Sequence, residues 1–347
     1  MSHETPVPLL AIIGRLSDDR RRSLDQDLGA HWAIKSWISG DPEEQLVSLA
    51  EMADAFLCGY EVSGLAQVNR ALPHARNLKL LQISFAGYDW LDLGLVPKEC
   101  AVCNASGHEI AIAEFVMAGL LEWEIRLSKI DRNFRSGSWA DGGYGRDDLF
   151  HGEIYKKTLG LVGFGKIGQE IAKRAHAFDM RVIAVSRSRR ERPEGLAWYD
   201  TVHRLPDLLR ESDYVVINCS LNDETRGLID KERLAFMRPG SVVVNVARGM
   251  VIDEEALFRA LAAKQIAGAI LDVWYRYPPF DGNLDAEARR NPMPSRFPFH
   301  DLENVIMTPH CSARTRETSA RRWQIVIDNF NRFARGEELR NVVFRRH

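Results

Sequence analysis

Residues 163–168 have the sequence GFGKIG and match the GxGxxG pattern of turns that bind dinucleotides. An apolar run, TLGLV, ends just before them, and a helix-like stretch follows. In this setting Gly163 can form a tight turn, Gly165 can let the backbone approach a pyrophosphate, and Gly168 can let the helix pack closely on the strand. Backbone N–H groups at the helix start would face the phosphate charge. The segment predicts a dinucleotide site. The alternative is a tight βα turn that binds no ligand.

The choice of dinucleotide depends on the end of the next apolar run, RVIAVS, about 20 residues after the glycine motif. NAD-dependent proteins usually place an Asp or Glu there, whereas this chain has Ser186, Arg187 and Ser188. A serine hydroxyl can donate to a phosphate, and an arginine can pair with one while it stacks on adenine. The run predicts NADP as the preferred cofactor over NAD, with a solvated basic loop as the alternative.

The length and charge of the chain favour a small-molecule partner. Its 347 residues suffice for two domains with apolar cores, and 46 Lys and Arg against 48 Asp and Glu leave a net charge of −2. No overall basic field attracts nucleic acid or an anionic membrane. The chain shows no apolar run near the roughly 20 residues that span a bilayer and no signal-peptide pattern. We expect a soluble, cytoplasmic protein that binds neither membrane nor nucleic acid.

Five cysteines are too few for a disulfide framework in a chain of this length, which fits a reducing compartment. Cys100 and Cys103 form a CxxC, but in a short strand-like run this spacing places the two thiols on opposite faces. We expect both to pack in the core, with a metal or redox pair as the alternative. The chain has no second CxxC and no HExxH, so we expect no metal site.

Two α/β domains are expected to position these residues. In the N-terminal third, short apolar runs alternate with helix-like stretches, as parallel βα units do. Residues 110–134 then show one long helical pattern, near whose start we expect a domain boundary. From residue 158, almost continuously apolar runs alternate with helices, which indicates a parallel sheet covered on both faces. A final helix at 315–336 is expected to return to the first domain.

Further segments carry a family resemblance: SFAGYD (84–89), VARGMVIDEEAL (246–257), GAILDVW (268–274), NVIMTPH (304–310) and, near the end, GEELRNVV. Together with GFGKIG, the chain resembles the D-isomer-specific 2-hydroxyacid dehydrogenase family over nearly its whole length. The resemblance implies an α/β fold with two Rossmann-like, doubly wound parallel-sheet domains. These are a flavodoxin-like substrate domain of residues 1–112 and 314–347, and a dinucleotide-binding domain of residues 113–313. It also implies a homodimer formed through the cofactor domains, and an active site in the cleft between the two domains.

The resemblance implies roles for individual residues. Arg248 of VARG would hold the substrate carboxylate and polarise the carbonyl, and His310 of TPH would be the acid/base. Charge develops on oxygen as hydride reaches the carbonyl carbon, so the chemistry needs a cation and a proton donor there. The backbone amides around Ala86 and Gly87 would also bind the carboxylate. The residues expected to contact the cofactor are Gly163, Gly165, Lys166, Ile167, Gly168, Ser186, Arg187, Ser188, Cys219, Val246, Ala247, Asp272, His310, Ser312 and Ala313.

Several of these residues have a plain alternative role. Without the motif, Arg248 is typical of a surface or capping residue and His310 of a hydrogen-bonded structural histidine. Asp272 would lie near the nicotinamide, or it caps a neighbouring turn. Cys311 beside His310 suggests a Cys–His nucleophile, but adjacent side chains rarely hydrogen-bond productively, so we expect no covalent mechanism.

The sequence departs from the family at Tyr277, where relatives usually have a Glu that bonds the catalytic histidine and raises its pKa. Pro278 keeps the register. A phenol can orient His310 by a hydroxyl hydrogen bond, but it cannot stabilise imidazolium as a carboxylate does. A nearby Arg276 that faced the site would lower the histidine pKa further. Either Tyr277 replaces the Glu in a subfamily with an altered substrate, which we favour, or another carboxylate reaches His310, or turnover is lost.

We therefore expect an oxidoreductase that transfers hydride between NADP(H), or NAD(H), and a 2-oxo acid or its D-2-hydroxy acid. Its catalytic residues would be Arg248, His310 and Tyr277. The alternative is a nucleotide-binding regulatory or scaffold protein, for which Tyr277 is the best support.

The segment that follows Tyr277 is longer and richer in Pro and aromatic residues than the equivalent family loop. Trp274, just before it, either lines the cleft or only packs. A surface loop without function is the alternative for the segment itself. The side chains expected to form a lid or a dimer contact are Phe280, Phe297, Phe299 and His300.

Overall fold

The structure is a computed structural model that describes residues 7–58, 65–143, 150–188, 191, 193–278 and 293–346. These residues form two compact units. Unit 1 takes its described residues from Met1–Gly107, Pro278 and Arg316–His347, and unit 2 from His108–Tyr277 and Met293–Thr315. The sequence-based limit at 112/113 differs from this division because the whole helix Glu109–Ile125 belongs to unit 2, and the limit at 313/314 lies two residues before the one at Thr315.

The secondary structure alternates strands and helices along most of the chain. In chain order the strands are β1 (Leu9–Ile13), β2 (Ala33–Trp37), β3 (Ala55–Cys58), β4 (Leu80–Ile83), β5 (Ala101–Cys103), β6 (Thr158–Val162), β7 (Arg181–Ser186), β8 (Trp198–Thr201), β9 (Tyr214–Ile217), β10 (Val242–Asn245), β11 (Gly268–Leu271), β12 (Val305–Met307) and β13 (Val342–Arg345). The helices are α1 (Asp18–Leu28), α2 (Glu43–Met52), α3 (Leu65–Ala71), α4 (Glu109–Ile125), α5 (Leu127–Arg135), α6 (Lys166–Ala177), α7 (Leu205–Glu211), α8 (Lys231–Leu234), α9 (Glu254–Ala262) and α10 (Arg316–Ala334).

Unit 1 contains a six-stranded sheet with the order β13-β5-β4-β3-β1-β2. Strands β1 to β5 are parallel, and β13 runs antiparallel beside β5. The order 2-1-3-4-5 of the parallel strands is that of flavodoxin-like folds. The final helix, α10, packs on this sheet, where Trp323 and Phe330 share a buried cluster with Leu80. Asn329 Nδ2 also donates to Gln82 Oε1 at 2.7 Å, which ties α10 to β4.

Unit 2 contains a seven-stranded sheet with the order β12-β11-β10-β9-β6-β7-β8, and every neighbouring pair is parallel. The order on either side of β6 is the 3-2-1-4-5-6 arrangement of the classic dinucleotide-binding fold, extended by one strand. All residues of β6, β9, β10 and β11 are buried. Apolar clusters cover both faces of this sheet, as continuously apolar runs predict. The predicted fold class, with two doubly wound parallel-sheet domains, is confirmed.

One expectation about secondary structure is wrong. The helical pattern at 110–134 forms two helices, because Arg126 adopts the left-handed conformation with a φ of 57° and ends α4. The two helices differ in environment: α4 has six buried side chains and α5 has none. Strand β8 was not expected, since its sequence, WYDT, is short and half polar; it forms because it pairs with β7 at the sheet edge. Within the described ranges, no helix combines the length and apolar character needed to cross a bilayer.

Of the side chains expected to form a lid or a dimer contact, Phe297 and Phe299 pack in the core of unit 2 instead, whereas His300 is exposed and its expected role stays a prediction. Phe299 is fully buried, and its ring packs against those of Phe258 and Trp274. Phe297 stacks on Phe258, with ring centroids 5.2 Å apart. These aromatic side chains complete the core of unit 2 beneath the end of β11. Phe280 lies outside the described residues.

Candidate active site

The glycine turn between β6 and α6 has the geometry that a dinucleotide needs. Gly163 has a φ of +107°, and a Cβ there would lie 2.9 Å from Cys219 N. A Cβ on Gly168 would lie 2.9 Å from both Asn218 Nδ2 and Gly163 O. Gly165 is exposed, and nothing described lies within 4 Å of its Cβ position, so its backbone is open to a ligand. These are the tight turn, the close packing and the open approach that the GxGxxG motif predicts.

The first turn of α6 offers unpaired backbone donors beside this turn. Gln169 N donates to Gly165 O at 3.0 Å, so the three N–H groups before it, from Lys166 onward, have no acceptor within the helix. The Asn218 side chain lies against the same turn. Both of its polar atoms are buried and have no hydrogen-bond partner among the described residues. A helix N-terminus and a buried amide in need of a partner fit the pyrophosphate group of a dinucleotide.

The residues at the end of β7 that were expected to select NADP differ in whether their side chains are available to a ligand. Ser186 Oγ donates to Ser188 O at 3.0 Å and lies 2.5 Å from Tyr199 Oη. The hydroxyl that was expected to bind a phosphate is therefore engaged within the protein. The Arg187 side chain is exposed. The neighbouring arginines 189, 190 and 192 lie outside the described residues.

Buried contacts hold the VARG segment after β10. Asn245 is 1% exposed; its Nδ2 donates to Arg248 O at 3.0 Å, and its Oδ1 accepts from Ala247 N at 3.1 Å. The guanidinium of Arg248 donates to Ala247 O at 2.8 Å. A Cβ on Gly249 would lie 2.4 Å from Trp274 O, so only glycine lets these two backbone segments meet. Asn245 and Gly249 position Arg248, although the sequence pattern did not identify either residue.

Asp272 fixes the turn that carries His310. It is fully buried after β11, and its Oδ1 accepts from Thr308 Oγ1 at 2.7 Å and from Cys311 N at 2.8 Å. Its Oδ2 accepts from Ser312 N at 2.9 Å. His310, between these donors, has a left-handed φ of 55°. The structure therefore shows the capping role that was the alternative for Asp272.

Tyr277 lies beside His310 in the same unit. The centroids of the two rings are 5.5 Å apart, with an interplanar angle of 56°. The Tyr277 hydroxyl accepts a hydrogen bond from Trp274 N at 3.1 Å. Arg276 is exposed. The residue at the family's Glu position thus contacts the histidine through its ring.

The cysteines near these residues are neutral thiols. Burial raises the pKa of Cys219 to about 11. Burial, and next the Asp272 carboxylate, also raise the pKa of Cys311. A neutral thiol is a weak nucleophile. No group of three metal-binding side chains occurs in the part of the chain that the structure describes.

In unit 1, the loop after β4 presents two backbone donors. Ala86 O accepts from Asn104 Nδ2 at 2.7 Å, and Gly87 O accepts from Trp90 Nε1 at 3.1 Å. The N–H groups of Ala86 and Gly87 donate to no acceptor within the described residues. The carbonyl groups that share peptide planes with these two N–H groups are those of Phe85 and Ala86. Phe85 O accepts from Ala105 N at 3.1 Å, and Ala86 O accepts from Asn104, so both N–H groups are held in a defined orientation. Successive N–H groups of this kind can bind an anion.

The carboxyl edge of the unit 2 sheet brings together most of the predicted site residues. This edge is where doubly wound sheets bind their ligands. Strands β10, β11 and β12 are neighbours, so the segments that follow them lie side by side. Ala86 and Gly87 follow a strand of unit 1 and belong to a different sheet. The predicted residues after the unit 2 strands are Gly163, Gly165, Lys166, Ile167 and Gly168 after β6, Ser186, Arg187 and Ser188 at β7, Cys219 after β9, Val246, Ala247 and Arg248 after β10, Asp272 and Tyr277 after β11, and His310, Ser312 and Ala313 after β12.

Comparison with known proteins identifies the family of unit 2. A family model described as D-isomer specific 2-hydroxyacid dehydrogenase, NAD binding domain, matches residues 117–312, which is more than half of the chain. The matched range contains the glycine turn, Arg248, Asp272 and His310. Unit 2 is therefore a nicotinamide-dinucleotide-binding domain.

Individual relatives extend the match into unit 1. The glyoxylate reductase of Pyrococcus furiosus is 34% identical over 268 residues, which are 76% of this chain and 75% of that protein. The D-3-phosphoglycerate dehydrogenase of Archaeoglobus fulgidus is 32% identical over 312 residues, which are 88% of this chain but 54% of that protein. The crystal structure of a glyoxylate reductase from Paecilomyes thermophila has a TM-score of 0.77 and 26% identity, over 98% of this chain and 99% of that chain. The chain therefore belongs to the D-isomer specific 2-hydroxyacid dehydrogenase family of oxidoreductases.

Proposed function

We propose that the protein is an NADP-preferring oxidoreductase that interconverts a 2-oxo acid and its D-2-hydroxy acid. The observation that carries this proposal is the turn in which Asp272 binds two backbone N–H groups directly after His310. That turn fixes a histidine at the sheet edge that also carries Arg248 and the glycine turn. The glyoxylate reductases among the relatives support a small 2-oxo acid such as glyoxylate as the substrate.

His310 and Arg248 would supply what the reaction needs from the chain. A bound nicotinamide dinucleotide would supply or accept the hydride. In reduction, protonated His310 would give a proton to the substrate oxygen, and in oxidation neutral His310 would take that proton from the hydroxyl. The Arg248 guanidinium would bind the carboxylate through two donors and stabilise the charge that develops on oxygen. One hydride and one proton together convert C=O to CH–OH.

We also propose that the N–H groups of Ala86 and Gly87 bind the substrate carboxylate. The carbonyl groups in the same peptide planes, those of Phe85 and Ala86, are anchored by Ala105 N and Asn104 Nδ2, which supports a preformed site. A preformed pair of donors loses little freedom when the anion binds.

Arg187 supports the NADP preference. It directly follows β7, at the position where a carboxylate would repel the 2′-phosphate of NADP. Its guanidinium is exposed and could pair with that phosphate through two donors. Since Ser186 is engaged with Ser188 and Tyr199, the preference depends mainly on Arg187.

A panel of 2-oxo acids, measured with NADPH and with NADH by the change in absorbance, tests the proposal. We expect turnover with at least one of glyoxylate, hydroxypyruvate and phenylpyruvate. We expect kcat/KM to be about tenfold or more higher with NADPH, because hydrogen bonds to charged groups are worth roughly 1.5–3 kcal/mol. Equal or better turnover with NADH would contradict the cofactor preference. Tight cofactor binding without turnover on the whole panel would instead support the regulatory or scaffold alternative.

An Arg187→Ala variant connects this preference to one side chain. NADPH should lose roughly tenfold in kcat/KM, while NADH should be unaffected. Arg181 lies at the other end of β7 and pairs with Glu211 at 2.8 Å, so Arg181→Ala is the matched control. A loss for NADPH no larger than that of the control would show that Arg187 does not bind the phosphate.

We propose that the protein forms a homodimer through unit 2, at a surface that includes α5. None of the nine residues of α5 is buried, and Leu127 and Phe134 are 63% and 54% exposed. Trp139 packs edge-on against Phe134 at 4.8 Å between ring centroids and is itself 60% exposed. Isolated helices of this length are marginal in water, so a covering surface would stabilise α5.

A groove of about 380 Å³ on the same unit fits a second copy of α5 in character and charge. Apolar and acidic side chains line it, among them Leu121, Ile154, Phe178, Glu153 and Asp179. The helix carries apolar side chains together with Lys129, Arg132 and Arg135. A two-fold contact, in which apolar side chains of α5 of each copy enter the groove of the other, pairs opposite charges and buries both apolar surfaces.

We expect light scattering of the wild-type protein to give twice the mass of one chain at micromolar concentration. Phe134→Glu should shift it towards the monomer, because a charge would be buried in an apolar contact. Val202 is 37% exposed elsewhere on unit 2, so Val202→Glu is the control and should remain dimeric. A monomeric wild-type protein, or equal dimerisation of the two variants, would contradict the proposed surface.

We also propose a cytoplasmic location. All five cysteines are free thiols, and three of them are fully buried, as is typical of proteins from a reducing compartment. Fractionation of the native cells, with detection of the protein in the cytosolic fraction, tests this proposal.

A further inference from the structure

We propose that Trp274 is a positioning residue for His310 and acts through two separate hydrogen bonds. The proposal rests on the acid/base role proposed for His310. Trp274 follows β11 and is 5% exposed. Its indole Nε1 donates to Thr308 O at 2.8 Å, and its backbone N donates to Tyr277 Oη at 3.1 Å. Thr308 precedes His310 in the chain and Tyr277 packs against its ring, so the two bonds reach His310 from two sides.

The indole bond fixes the backbone that leads into His310. Thr308 N donates to Leu271 O at 2.9 Å, and Thr308 Oγ1 donates to Asp272 Oδ1 at 2.7 Å. The carbonyl is the remaining polar group of Thr308, and the indole N–H binds it. A left-handed residue such as His310 is strained and persists only where neighbouring contacts hold it. The Trp274 indole completes those contacts on the N-terminal side, as Asp272 does on the C-terminal side.

The backbone bond fixes the ring that packs against His310. The Tyr277 hydroxyl accepts from Trp274 N, so the phenol ring is held at its hydroxyl as well as at its own backbone. The ring lies 5.5 Å from the His310 ring and restricts how the imidazole can rotate. A neutral phenol gives this restriction without supplying a charge. Trp274 and Tyr277 together orient the histidine at the position where the resemblance places a Glu.

Packing holds the indole itself in place. Phe299 contacts it edge-on, with centroids 6.0 Å apart and an interplanar angle of 74°. The backbone of Gly249, directly after Arg248, packs on Trp274 O. One buried residue therefore contacts the segments that carry both proposed catalytic groups. A tryptophan that only filled the core would contribute through its ring, whereas a positioning tryptophan also contributes through its N–H. Loss of the N–H should therefore lower kcat only if Trp274 is a positioning residue.

Trp274→Phe removes the indole N–H and keeps an aromatic ring in the core. We expect kcat for reduction to fall roughly tenfold, as expected for one lost hydrogen bond that leaves a buried carbonyl without its donor. The Kd for NADPH and the KM for the 2-oxo acid should change less than about twofold, because the glycine turn and Arg248 remain in place. Tyr277→Phe removes the acceptor of the second bond and should also lower kcat, so it provides a second test if Trp274→Phe folds poorly.

A double-mutant cycle with His310→Gln separates positioning from general damage. If Trp274 acts through His310, Trp274→Phe should have no further effect on the residual single-turnover rate of His310→Gln. Trp198 is the matched control: it lies on β8 of the same unit, its Nε1 donates to Glu211 Oε2 at 3.3 Å, and Trp198→Phe should leave kcat unchanged.

The outcomes distinguish the inference from the function on which it rests. Full activity of His310→Gln would overturn the proposed acid/base and with it this inference. An impaired His310→Gln together with a fully active Trp274→Phe would overturn the inference alone. An equal loss from Trp274→Phe with and without His310 would also overturn it, because the effect would then be structural.

Discussion

His310→Gln is expected to lower kcat for reduction of a 2-oxo acid by about 10²- to 10⁴-fold, the usual contribution of a positioned acid/base. Glutamine retains a polar side chain of similar reach but has no proton that titrates near neutral pH. The Kd for NADPH should remain within about threefold, because the glycine turn and Arg187 belong to other strands of the sheet. Stopped-flow measurement of NADPH oxidation and a separate fluorescence titration give the two quantities.

The pH dependence of the same variant provides a second signature. If His310 donates the proton in reduction, the wild-type rate should fall with rising pH, and this fall should be absent in His310→Gln. His300 is the control: it is an exposed histidine of unit 2 whose Nε2 lies 3.5 Å from Asp301, and His300→Gln should behave as the wild type. Wild-type turnover by His310→Gln would place the acid/base at another residue.

The fold and the glycine turn are predictable from the sequence because their signals are local. A buried parallel strand needs an almost continuously apolar run, and the three glycines at 163, 165 and 168 lie within six residues of one another. Strand β8 escapes this rule because an edge strand needs one partner and tolerates polar residues. The break at Arg126 escapes it because the helical pattern continues from α4 into α5, and periodicity alone gives no sign of the left-handed residue between them.

The supports of the site are not predictable from the sequence, because they join residues that are far apart in the chain. Asp272 binds backbone groups about forty residues later, and Gly249 packs on the backbone of Trp274. A motif identifies residues such as Arg248 and His310, for which we propose contacts with the substrate. It contains no signal for which buried atom holds each of them, since any carboxylate or carbonyl at the right place would serve.

The role of Tyr277 likewise could not be predicted from the sequence alone. The departure from Glu is visible in the sequence, but its meaning depends on a ring contact with His310 and a bond from Trp274 N. These contacts favour the interpretation that Tyr277 replaces the Glu as an orienting group. They do not supply a negative charge, so the acid/base role proposed for His310 includes no carboxylate at that position.

Asp272→Asn is expected to be the most damaging conservative change in unit 2. The carboxylate accepts three hydrogen bonds in a fully buried position, from Thr308 Oγ1, Cys311 N and Ser312 N. An amide has one acceptor oxygen, so in either orientation its NH₂ group faces an N–H donor. We expect the free energy of unfolding to fall by about 2–4 kcal/mol, from weaker bonds and at least one buried donor without an acceptor. Urea denaturation followed by fluorescence measures this change.

The same variant should lower kcat by at least about tenfold, because His310 is held in its left-handed turn by the bonds that are lost. Asp253→Asn is the control: Asp253 Oδ1 accepts from Ala256 N at 2.8 Å at the start of α9, where asparagine caps a helix equally well. Its stability and kcat should match the wild type. If Asp272→Asn keeps its stability and kcat but binds NADPH much more weakly, then Asp272 acts on the cofactor, as the sequence resemblance implies. If kcat falls while the Kd for NADPH is unchanged, then the carboxylate acts on the histidine turn, because only that turn connects it to the proton transfer.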